Sequence, residues 1–485
     1  MADLSLLQNM REKLFKEFSP VSEAAFKQKI QYDLKGASYQ DTLVTATREG
    51  IDIKPFYHRD STQTLAIPAR ATNTWYISQR IYAANAVAAN KKALDALARG
   101  SEGVLIIIPH KDIDPATLLK DVPEHGVQIH PQFMDMDYLK QIHEINPKAH
   151  IHLDIINQLA SDGNWFLDGK KDYVEYETFI ESFKGYFSQF TINTSLYQQA
   201  GATATQELAY YAAHLNEYLN RYCDLNKEHN DGIYNAFKES NDEEVHAEQG
   251  RGTKAEKRIN IDTTIGPNYF MELAKYRAYR VITKTLGAAY GLELSCYITA
   301  SPSLRNKSLL DYNVNLLRST TECMSAVLGG ADTVYNLPYD SFFNKENEFS
   351  DRIARNQLRI LKDEAYLDKV NNAAEGSYYI DALTKQLTEK SIELFKTIEK
   401  AGGFVQSLFD GTIQRKIKES AAQQLTDLQS GKNVMVGVNK YSNAEQPLQK
   451  EYELFPFVKA NPRKTLIQPI VASRLAETIE KSQQS

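Results

Sequence analysis

The sequence predicts an α/β protein whose central unit is a (β/α)8 barrel of the TIM type, with an N-terminal arm before it and a helical extension after it. Eight short β-rich runs recur between residues 75 and 338, and segments with helical period separate most of them. Eight such units over about 270 residues match the usual size of this barrel. The chain has 485 residues, so a substantial part of it lies on either side of the repeat.

The predicted barrel strands are rich in β-branched and aromatic residues, which suit a pleated and half-buried surface. In chain order they are WYISQRIY (75–82), GVLIIIP (103–109), GVQIHPQF (126–133), HIHLDII (150–156), QFTINTSLY (189–197), RINIDTTI (258–265), LELSCYITA (292–300) and ADTVYNLP (331–338). The longest insertion follows the fifth run, and we expect its acidic stretch at 241–248 to be a solvated loop.

The helix before the eighth run has an apolar stripe that predicts its buried face. The stripe has spacings of 4, 3, 4, 3 and 4 and consists of Leu310, Val314, Leu317, Thr321, Met324 and Leu328. Four polar residues are expected to lie off it: Asp311, Asn315, Arg318 and Glu322. Gly329 and Gly330 then end the helix, because glycine accepts the left-handed conformation at a helix C-terminus.

The segments outside the repeat divide the chain into three predicted parts. Residues 1–70 form an arm that needs another surface to lie on, residues 71–350 form the barrel, and residues 351–485 form a C-terminal helical extension. The helices expected outside the barrel are 3–17, 22–34, 350–365, 381–403, 412–431 and 471–481.

The composition is typical of a globular protein and favours neither nucleic acid nor a membrane as a partner. Hydrophobic residues make up 42% of the chain, and 56 basic against 62 acidic residues give a net charge of −6. This balance gives no electrostatic reason to expect nucleic acid or an anionic membrane as a partner. No apolar run approaches the roughly 20 residues that span a bilayer. The N-terminus has an amphipathic pattern without a signal-peptide core, so we expect a cytoplasmic protein.

Cysteine and histidine spacing predicts no disulfide framework and no metal centre. The cysteines are few and far apart, and we interpret them as buried small hydrophobes: Cys223, Cys296 and Cys323. His130, His150 and His152 lie on predicted strands but form no set of three ligands at a known spacing. We therefore expect them to be hydrogen-bonded polar residues of the barrel or its loops.

Several segments together resemble the methylmalonyl-CoA mutase family of cobalamin-dependent carbon-skeleton mutases. They follow in family order from about residue 30 to 481, and FSDRIARNQ and the AGAT segment are the most specific. The segments are EGIDIKPFY (49–57), QAGATATQELAYYAAHLNEYL (199–219), NYFMELAKYRAYR (268–280), LLRSTTECMSAVLGGAD (316–332), FSDRIARNQ (349–357), EGSYYIDALT (375–384), IEKAGGF (398–404) and GVNKY (437–441). The resemblance implies a TIM-type barrel that binds an acyl-CoA along its axis.

The resemblance also implies where cobalamin would be bound. Members carry it on a C-terminal flavodoxin-like domain through a D-x-H-x-x-G loop, whose His ligates cobalt. The one H-x-x-G here is His229 to Gly232, and Lys227 replaces the Asp. We therefore expect no cobalamin-binding domain and no cofactor bound by this chain.

Four barrel positions implied by the resemblance have lost the groups that catalytic members use. Arg80 follows W-Y-I-S-Q on the first strand, where the family has a Tyr. Leu196 replaces a His on the fifth strand, Tyr297 replaces an Arg for the substrate carboxylate on the seventh, and Tyr335 replaces a His near the acyl carbonyl on the eighth. None of the replacements can do the same work, since Leu donates no hydrogen bond and a neutral Tyr cannot pair a carboxylate bidentately.

The chain is thus similar to the small (β), non-catalytic subunits of heterodimeric members of the family. The resemblance implies a large catalytic subunit as partner, with adenosylcobalamin on that subunit. Two alternatives stay open. One is an independent barrel enzyme that uses His152 with Asp154, or Asp262 with Asp332. The other is a CoA-binding regulator derived from the mutase fold.

The strand residues predict a filled or narrowed barrel axis. The candidates for its interior are bulkier than an acyl-CoA tunnel would need. They are Ile106 and Ile108, or Leu105 and Ile107 on the other face, with Gln128, His130, His152, Asp154, Ile261, Tyr297 and Tyr335.

Overall fold

A computed structural model describes residues 17–62, 66–182, 190–222, 257–443, 448, 451–459 and 462–484. Its ten strands begin with a small antiparallel hairpin in the arm, β1 (Thr45–Ala46) and β2 (Asp52–Ile53). The other eight are β3 (Tyr76–Tyr82), β4 (Gly103–Ile108), β5 (Val127–Pro131), β6 (His150–Ile151), β7 (Thr191–Asn193), β8 (Lys257–Ile265), β9 (Leu294–Pro302) and β10 (Thr333–Tyr335). Each falls within or beside one of the eight predicted runs, so the predicted (β/α)8 class is confirmed.

Helices alternate with the barrel strands and then continue alone. Those up to the eighth strand are α1 (Glu23–Asp33), α2 (Tyr39–Leu43), α3 (Ala86–Ala98), α4 (Pro115–Leu118), α5 (Met136–Ile145), α6 (Ile155–Asp162), α7 (Gly169–Ser182), α8 (Ser195–Ala200), α9 (Ala204–Tyr222), α10 (Tyr269–Ala289) and α11 (Val314–Gly329). Those after it are α12 (Glu348–Arg359), a π-helical turn (Ile360–Glu364), α13 (Tyr378–Lys400), α14 (Phe404–Phe409), α15 (Thr412–Gln429) and α16 (Glu477–Gln484).

The eight strands β3 to β10 form one parallel sheet in the order β6-β5-β4-β3-β10-β9-β8-β7. The chain returns to its first barrel strand through the β3–β10 pair, which places Tyr335 beside Ser78. Among the described residues no backbone ladder joins β6 to β7. The sheet therefore curls into a barrel whose last seam, between the fourth and fifth barrel strands, is closed by side chains.

The pairing registers show which strand faces line the barrel. Residues side by side on paired strands point to the same side of the sheet. Gln128 is paired with Leu105 and His150, and its amide Nε2 donates to Thr299 Oγ1 at 3.2 Å across the barrel. Leu105 and Ile107 therefore face the axis. Ile106, Ile108 and Ile261 lie on the opposite face and are fully buried in the core, so the assignment of Ile261 to the axis was wrong.

The predicted stripe of α11 is wrong at its middle. Leu317 is 68% exposed and Thr321 is exposed, whereas Asn315 and Glu322 are buried. The buried side accepts polar groups because they have partners there: Glu322 forms an ion pair with Lys307 at 2.6 Å. Met324 and Leu328 of the stripe do pack against buried clusters.

The C-terminal helices lie against the barrel helices, and the arm hairpin contacts both sets. Arg48 in the hairpin donates to Asp427 of α15 through Nε at 3.0 Å and Nη2 at 2.9 Å. The carboxylate of Glu49 accepts the Thr205 N–H at 2.7 Å, at the start of α9. By contrast, α1 buries none of its residues. The predicted helix at 471–481 begins later, at Glu477, and the predicted helix at 3–17 lies outside the described residues.

Candidate functional site

The barrel interior is polar, unlike the bulky aliphatic layers that usually fill such barrels. Leu105 and Ile107 are its main apolar members. The polar residues that the registers place on the same face include Ser78, Arg80, Gln128, His130, His150, His152, Asn260, Asp262, Tyr297, Thr299, Thr333 and Tyr335. The buried members of this set need hydrogen-bond partners, and many of the partners come from other strands.

Side chains meet across the axis at two levels. Gln128 on β5 reaches Thr299 on β9, and three strands lie between these two in the sheet. His152, which directly follows β6, donates from Nδ1 to Asp262 Oδ2 of β8 at 2.8 Å, since a carboxylate can only accept. The ring of Tyr297 stands edge-on to His150 with the centroids 5.8 Å apart. The axis is therefore narrowed by cross-barrel contacts, as the sequence predicted, although by polar more than by bulky groups.

The two innermost histidines with shifted pKa values are held neutral. Burial lowers the pKa of His130, and Asp262 only partly opposes that effect. Burial, with the nearby Arg258 guanidinium, lowers the pKa of His150 well below its ordinary value. At neutral pH both rings are uncharged, which is the form that a desolvated interior favours.

Asp154 closes the seam between β6 and β7. Its Oδ2 accepts the backbone N–H of Asn193 on β7 at 2.8 Å. Its Oδ1 accepts from Asn157 N–H at 2.9 Å, from His214 Nε2 at 3.0 Å and from the Tyr218 hydroxyl at 2.8 Å. One carboxylate thus joins the end of β6 to a strand and to helices α6 and α9. Burial opposes its ionisation, but His214 and these donors together lower its pKa below the ordinary value.

The two pairs named for an independent enzyme, His152 with Asp154 and Asp262 with Asp332, are not formed. His152 contacts Asp262 rather than Asp154, which is occupied at the seam. Asp332 is 2.8 Å from the Arg280 guanidinium, and it also accepts the Ile298 N–H. Within the described ranges, no group of three or more His, Cys, Asp and Glu side chains could hold a metal ion. Cys296 and Cys323 are buried, as expected, and Cys223 lies outside the described residues.

The four positions singled out from the sequence do not converge on one point. Arg80 stands near the carboxyl end of β3 and is exposed, and Tyr335 is on β10 nearby, where burial raises its pKa. Tyr297 lies towards the other end of the barrel: its hydroxyl is 2.6 Å from Thr333 Oγ1, and burial raises its pKa. Leu196 is on α8, partly buried against the core.

Two cavities open at opposite ends of the barrel strands. One of about 420 Å³ opens at the carboxyl ends of β3 and β10. The other, of about 250 Å³, opens at the amino ends of the strands and is lined by Arg258, Tyr297 and Gln128 among others. Ser78 is the one described residue that lines both.

A third cavity, of about 580 Å³, lies under the arm hairpin, beside the loops that follow β7, β8 and β9. A buried ionic cluster forms part of its wall. Lys275 Nζ is 2.9 Å from Glu207 and 2.8 Å from Glu272. Burial raises the pKa of Glu272 to about 7, helped by Glu207 and opposed by Lys275. Sequence reasoning missed this cluster, because Glu and Lys within helical segments are usually solvent-facing.

Sequence reasoning also missed Ser78 and Asn336 as cavity residues. Asn336 directly follows β10, and the carboxyl end of a barrel strand is where functional side chains gather. The position of Asn336 at the end of a predicted barrel strand was therefore the sequence signal that could have identified it. The H-x-x-G stretch that ends at Gly232 lies outside the described residues.

No helix among the described residues is long and apolar enough to cross a membrane.

Comparison with known proteins relates most of the chain to one family. The family model described as "Methylmalonyl-CoA mutase" matches residues 249–482. The methylmalonyl-CoA mutase small subunit of Porphyromonas gingivalis is 32% identical over 469 residues, which cover 89% of this chain and 72% of that protein. The methylmalonyl-CoA mutase of Cereibacter sphaeroides is 28% identical, covering 87% of this chain and 64% of that protein.

The large subunit of P. gingivalis is also similar, but over a shorter stretch. It is 31% identical over 259 residues, which cover 53% of this chain and 33% of the large subunit. The two P. gingivalis subunits are thus both relatives, and the small subunit matches over a greater length. This chain belongs to the methylmalonyl-CoA mutase family.

Proposed function

We propose that this chain is the non-catalytic small subunit of a heterodimeric methylmalonyl-CoA mutase. Its large-subunit partner would interconvert methylmalonyl-CoA and succinyl-CoA with adenosylcobalamin. The observation that carries the proposal is the length of the similarity to the P. gingivalis small subunit, 89% of this chain against 53% for the large subunit of the same organism.

The four substituted positions support the loss of catalysis. Leu196 offers no polar atom, and the hydroxyl of Tyr297 is occupied by Thr333. Cross-barrel contacts also narrow the space that an acyl-CoA would need. The Gln128 to Thr299 hydrogen bond lies directly across the axis.

The two buried histidines that pair with carboxylates do not fit the role of a cobalt ligand. Such a ligand needs an accessible ring nitrogen, with the other nitrogen held by a carboxylate or similar acceptor. His152 and His214 have carboxylate partners, but their side chains are 1% and 0% exposed. We therefore assign adenosylcobalamin to the partner subunit, where it would supply the radical that starts the rearrangement.

The arm supports a stable partnership. It exposes four large apolar side chains: Phe18 at 69%, Val21 at 58%, Phe26 at 46% and Tyr32 at 79%. Groups of exposed apolar residues of this kind mark protein interfaces. Permanent complexes bury about 2,000 Å² or more, and an arm that extends over a homologous chain would contribute to such an area.

Co-expression with the large subunit from the same source tests the proposal. Light scattering after gel filtration should give a 1:1 complex, and Tyr32→Asp should weaken it. Val174→Asp is the matched control, because Val174 is an exposed apolar residue of α7 (48% exposed). Two separate species in the wild-type mixture would contradict the proposed partnership.

Assays of the isolated subunits test the assignment of the chemistry. With adenosylcobalamin and methylmalonyl-CoA, this chain alone should form no succinyl-CoA, whereas the complex should be active. Turnover by this chain alone would refute the proposal. Titration with CoA or cobalamin should give no Kd below about 10 μM, which corresponds to roughly −7 kcal/mol. Tighter CoA binding would favour the CoA-binding regulator instead.

A further inference from the structure

One face of α11 is apolar and is turned to solvent at its middle. The apolar stripe runs from Leu310 to Leu328, and none of its six members is buried. Leu317, near its centre, is 68% exposed. An amphipathic helix normally turns such a stripe towards the core of its own domain. Here the buried side of the helix consists mostly of polar and small residues, so the apolar side is left for another surface.

The outward face of α11 also lacks charge. Its most exposed positions are Leu317 and Thr321. Of the two charged side chains of the helix, Glu322 is buried and Arg318 donates to the backbone oxygen of Val436. An ordinary solvated helix of the same barrel, α3, exposes Lys91, Lys92 and Asp95. Depletion of charge is typical of the core of a protein interface.

The segment that follows α15 widens this apolar surface at the start of α11. Val434, Val436 and Tyr441 are 47%, 45% and 71% exposed. The hydrogen bond from Arg318 to Val436 holds the segment beside the helix, and Leu310 packs against buried side chains of the same segment. The surface formed by Leu317, Thr321, Val434, Val436 and Tyr441 is called the α11 patch below.

The arm approaches the α11 patch at the start of the helix. Asp427 of α15 binds Arg48 of the arm hairpin at 2.9 Å. The ammonium group of Lys432 is 3.9 Å from the same carboxylate, and Val434 follows two residues later. The hairpin and the patch therefore border one another through the end of α15.

The arm also approaches the far end of α11. Leu328, the last residue of the stripe, packs against the same buried cluster as Tyr379 of α13. The ring of Tyr379 is 5.0 Å from that of Tyr57 in the arm. The neighbouring Phe56 is 4.7 Å from Phe26 of α1, which is one of the four exposed apolar side chains of the arm. The arm and the stripe thus belong to one continuous surface.

The size of the stripe indicates that it is part of a larger contact. From Val314 to Leu328 it is about 21 Å long at 1.5 Å per residue, and a helix about 10 Å wide would cover roughly 200 Å² with it. A specific interface of standard size needs about 800 Å² on each partner. The stripe is too small to hold a stable partner alone, so the partner that fits it is the one that the arm also binds.

We propose that the α11 patch and the arm bind the same partner, and that the patch covers an apolar surface of the large catalytic subunit. This inference rests on the proposed function and names the part of the barrel that contacts the partner. Leu317 and Val436 lose their contact with water in the complex, and the arm covers a neighbouring part of the large subunit.

Biolayer interferometry between the two full-length subunits tests this inference. Leu317→Asp should raise the Kd by about thirtyfold or more, because it places an unpaired charge in a desolvated contact. Leu317→Met keeps an apolar side chain of similar volume and should bind like the wild type. Val174→Asp is the control, since Val174 is an exposed apolar residue of α7, between β6 and β7, and should leave the Kd unchanged.

Thermal unfolding checks that the variants fold. Leu317 is exposed, so Leu317→Asp should change Tm by less than about 1 °C. If the large subunit binds Leu317→Asp as tightly as the wild type, this inference is wrong and the proposed function stands. If the two wild-type chains form no complex, the proposed function fails and takes this inference with it.

Gel filtration of the isolated chain separates one more occupant, a second copy of this chain. We expect the wild type and Leu317→Asp to elute alike. If the wild type is a dimer that Leu317→Asp converts to a monomer, and the affinity for the large subunit is unchanged, the patch binds a second copy and the inference is overturned.

Discussion

Replacing Asp154 by Asn should weaken the barrel at the seam that its carboxylate closes. Asp154 accepts four hydrogen bonds through both oxygens. The asparagine side chain has one acceptor oxygen and one NH2 donor. Its NH2 group would therefore face another donor, either the Asn193 N–H or the groups that now donate to Oδ1. Hydrogen bonds to a charged group contribute about 1.5–3 kcal/mol each, and an unsatisfied buried N–H costs about as much. We therefore expect a loss of about 3–6 kcal/mol.

Differential scanning calorimetry measures this loss as a fall in Tm. With an unfolding entropy of about 2 cal/mol/K per residue, 1 kcal/mol corresponds to roughly 1 °C for a chain of this size, so the expected fall is about 3–6 °C. Asp112→Asn is the control, because the Asp112 side chain is 88% exposed and its replacement should change Tm by less than about 1 °C. If Asp154→Asn and Asp112→Asn have the same Tm, the Asp154 carboxylate does not stabilise the seam between β6 and β7.

The pKa of Asp154 adds a pH signature to the same variant. The folded value lies below the ordinary one, so the stabilisation is fully present above the unfolded pKa of about 3.9 and is lost as the pH falls through the folded value. The wild type should therefore lose stability in acid more steeply than Asp154→Asn. Equal acid sensitivity would contradict the role assigned to the ionised carboxylate.

Three further predictions concern the cluster under the arm and the arm itself. Lys275→Met leaves two buried carboxylates without their cation and should cost about 3–5 kcal/mol by chemical denaturation, whereas Lys284→Met, on the exposed side of the same helix, should be nearly neutral. The pKa of Glu272 is about 7 in the folded chain against an ordinary 4.5, so the stability that its protonated form provides is lost as the pH rises from 4.5 to 7. Glu272→Gln should remove the fall in Tm over this pH range. If the variant and the wild type have the same Tm profile from pH 5 to 8, the raised pKa of Glu272 is refuted. Arg48→Met should speed tryptic cleavage within residues 17–62 with little change in Tm, because the ion pair with Asp427 is partly exposed; unchanged cleavage would mean that the hairpin is held by its other contacts.

The barrel could be predicted from sequence because its signal repeats. Eight β-rich runs with intervening helical segments leave few alternative folds, and an error at one run does not alter the pattern. The helix ends were accurate where the sequence supplies a stop: Gly330 takes the left-handed conformation with φ of 100°, directly after α11. Where no such residue stands, as at the start of α16, the prediction was several residues early.

Strand facing and burial were harder to predict because they depend on partners distant in sequence. Ile261 is apolar and alternates with polar neighbours, which is compatible with either face until the register of β8 against β9 is known. Leu317 lies on a regular apolar stripe and is nevertheless exposed, since α11 turns Glu322 inward to meet Lys307. Asp154 and His152 share a face of their segment, but each finds a partner on another element.

The candidate site was predictable in part. Arg80 and Tyr335 were singled out because they replace groups of catalytic relatives, and both lie near the carboxyl-end opening of the barrel. Asn336 and Ser78 were recognised as lining residues only in three dimensions, because the lining of a cavity depends on how distant segments pack together.

Ser78 is the one described residue that borders both openings. A bulkier side chain there would alter the shape of both at once, so variation at this position among related chains would change two surfaces of the barrel together.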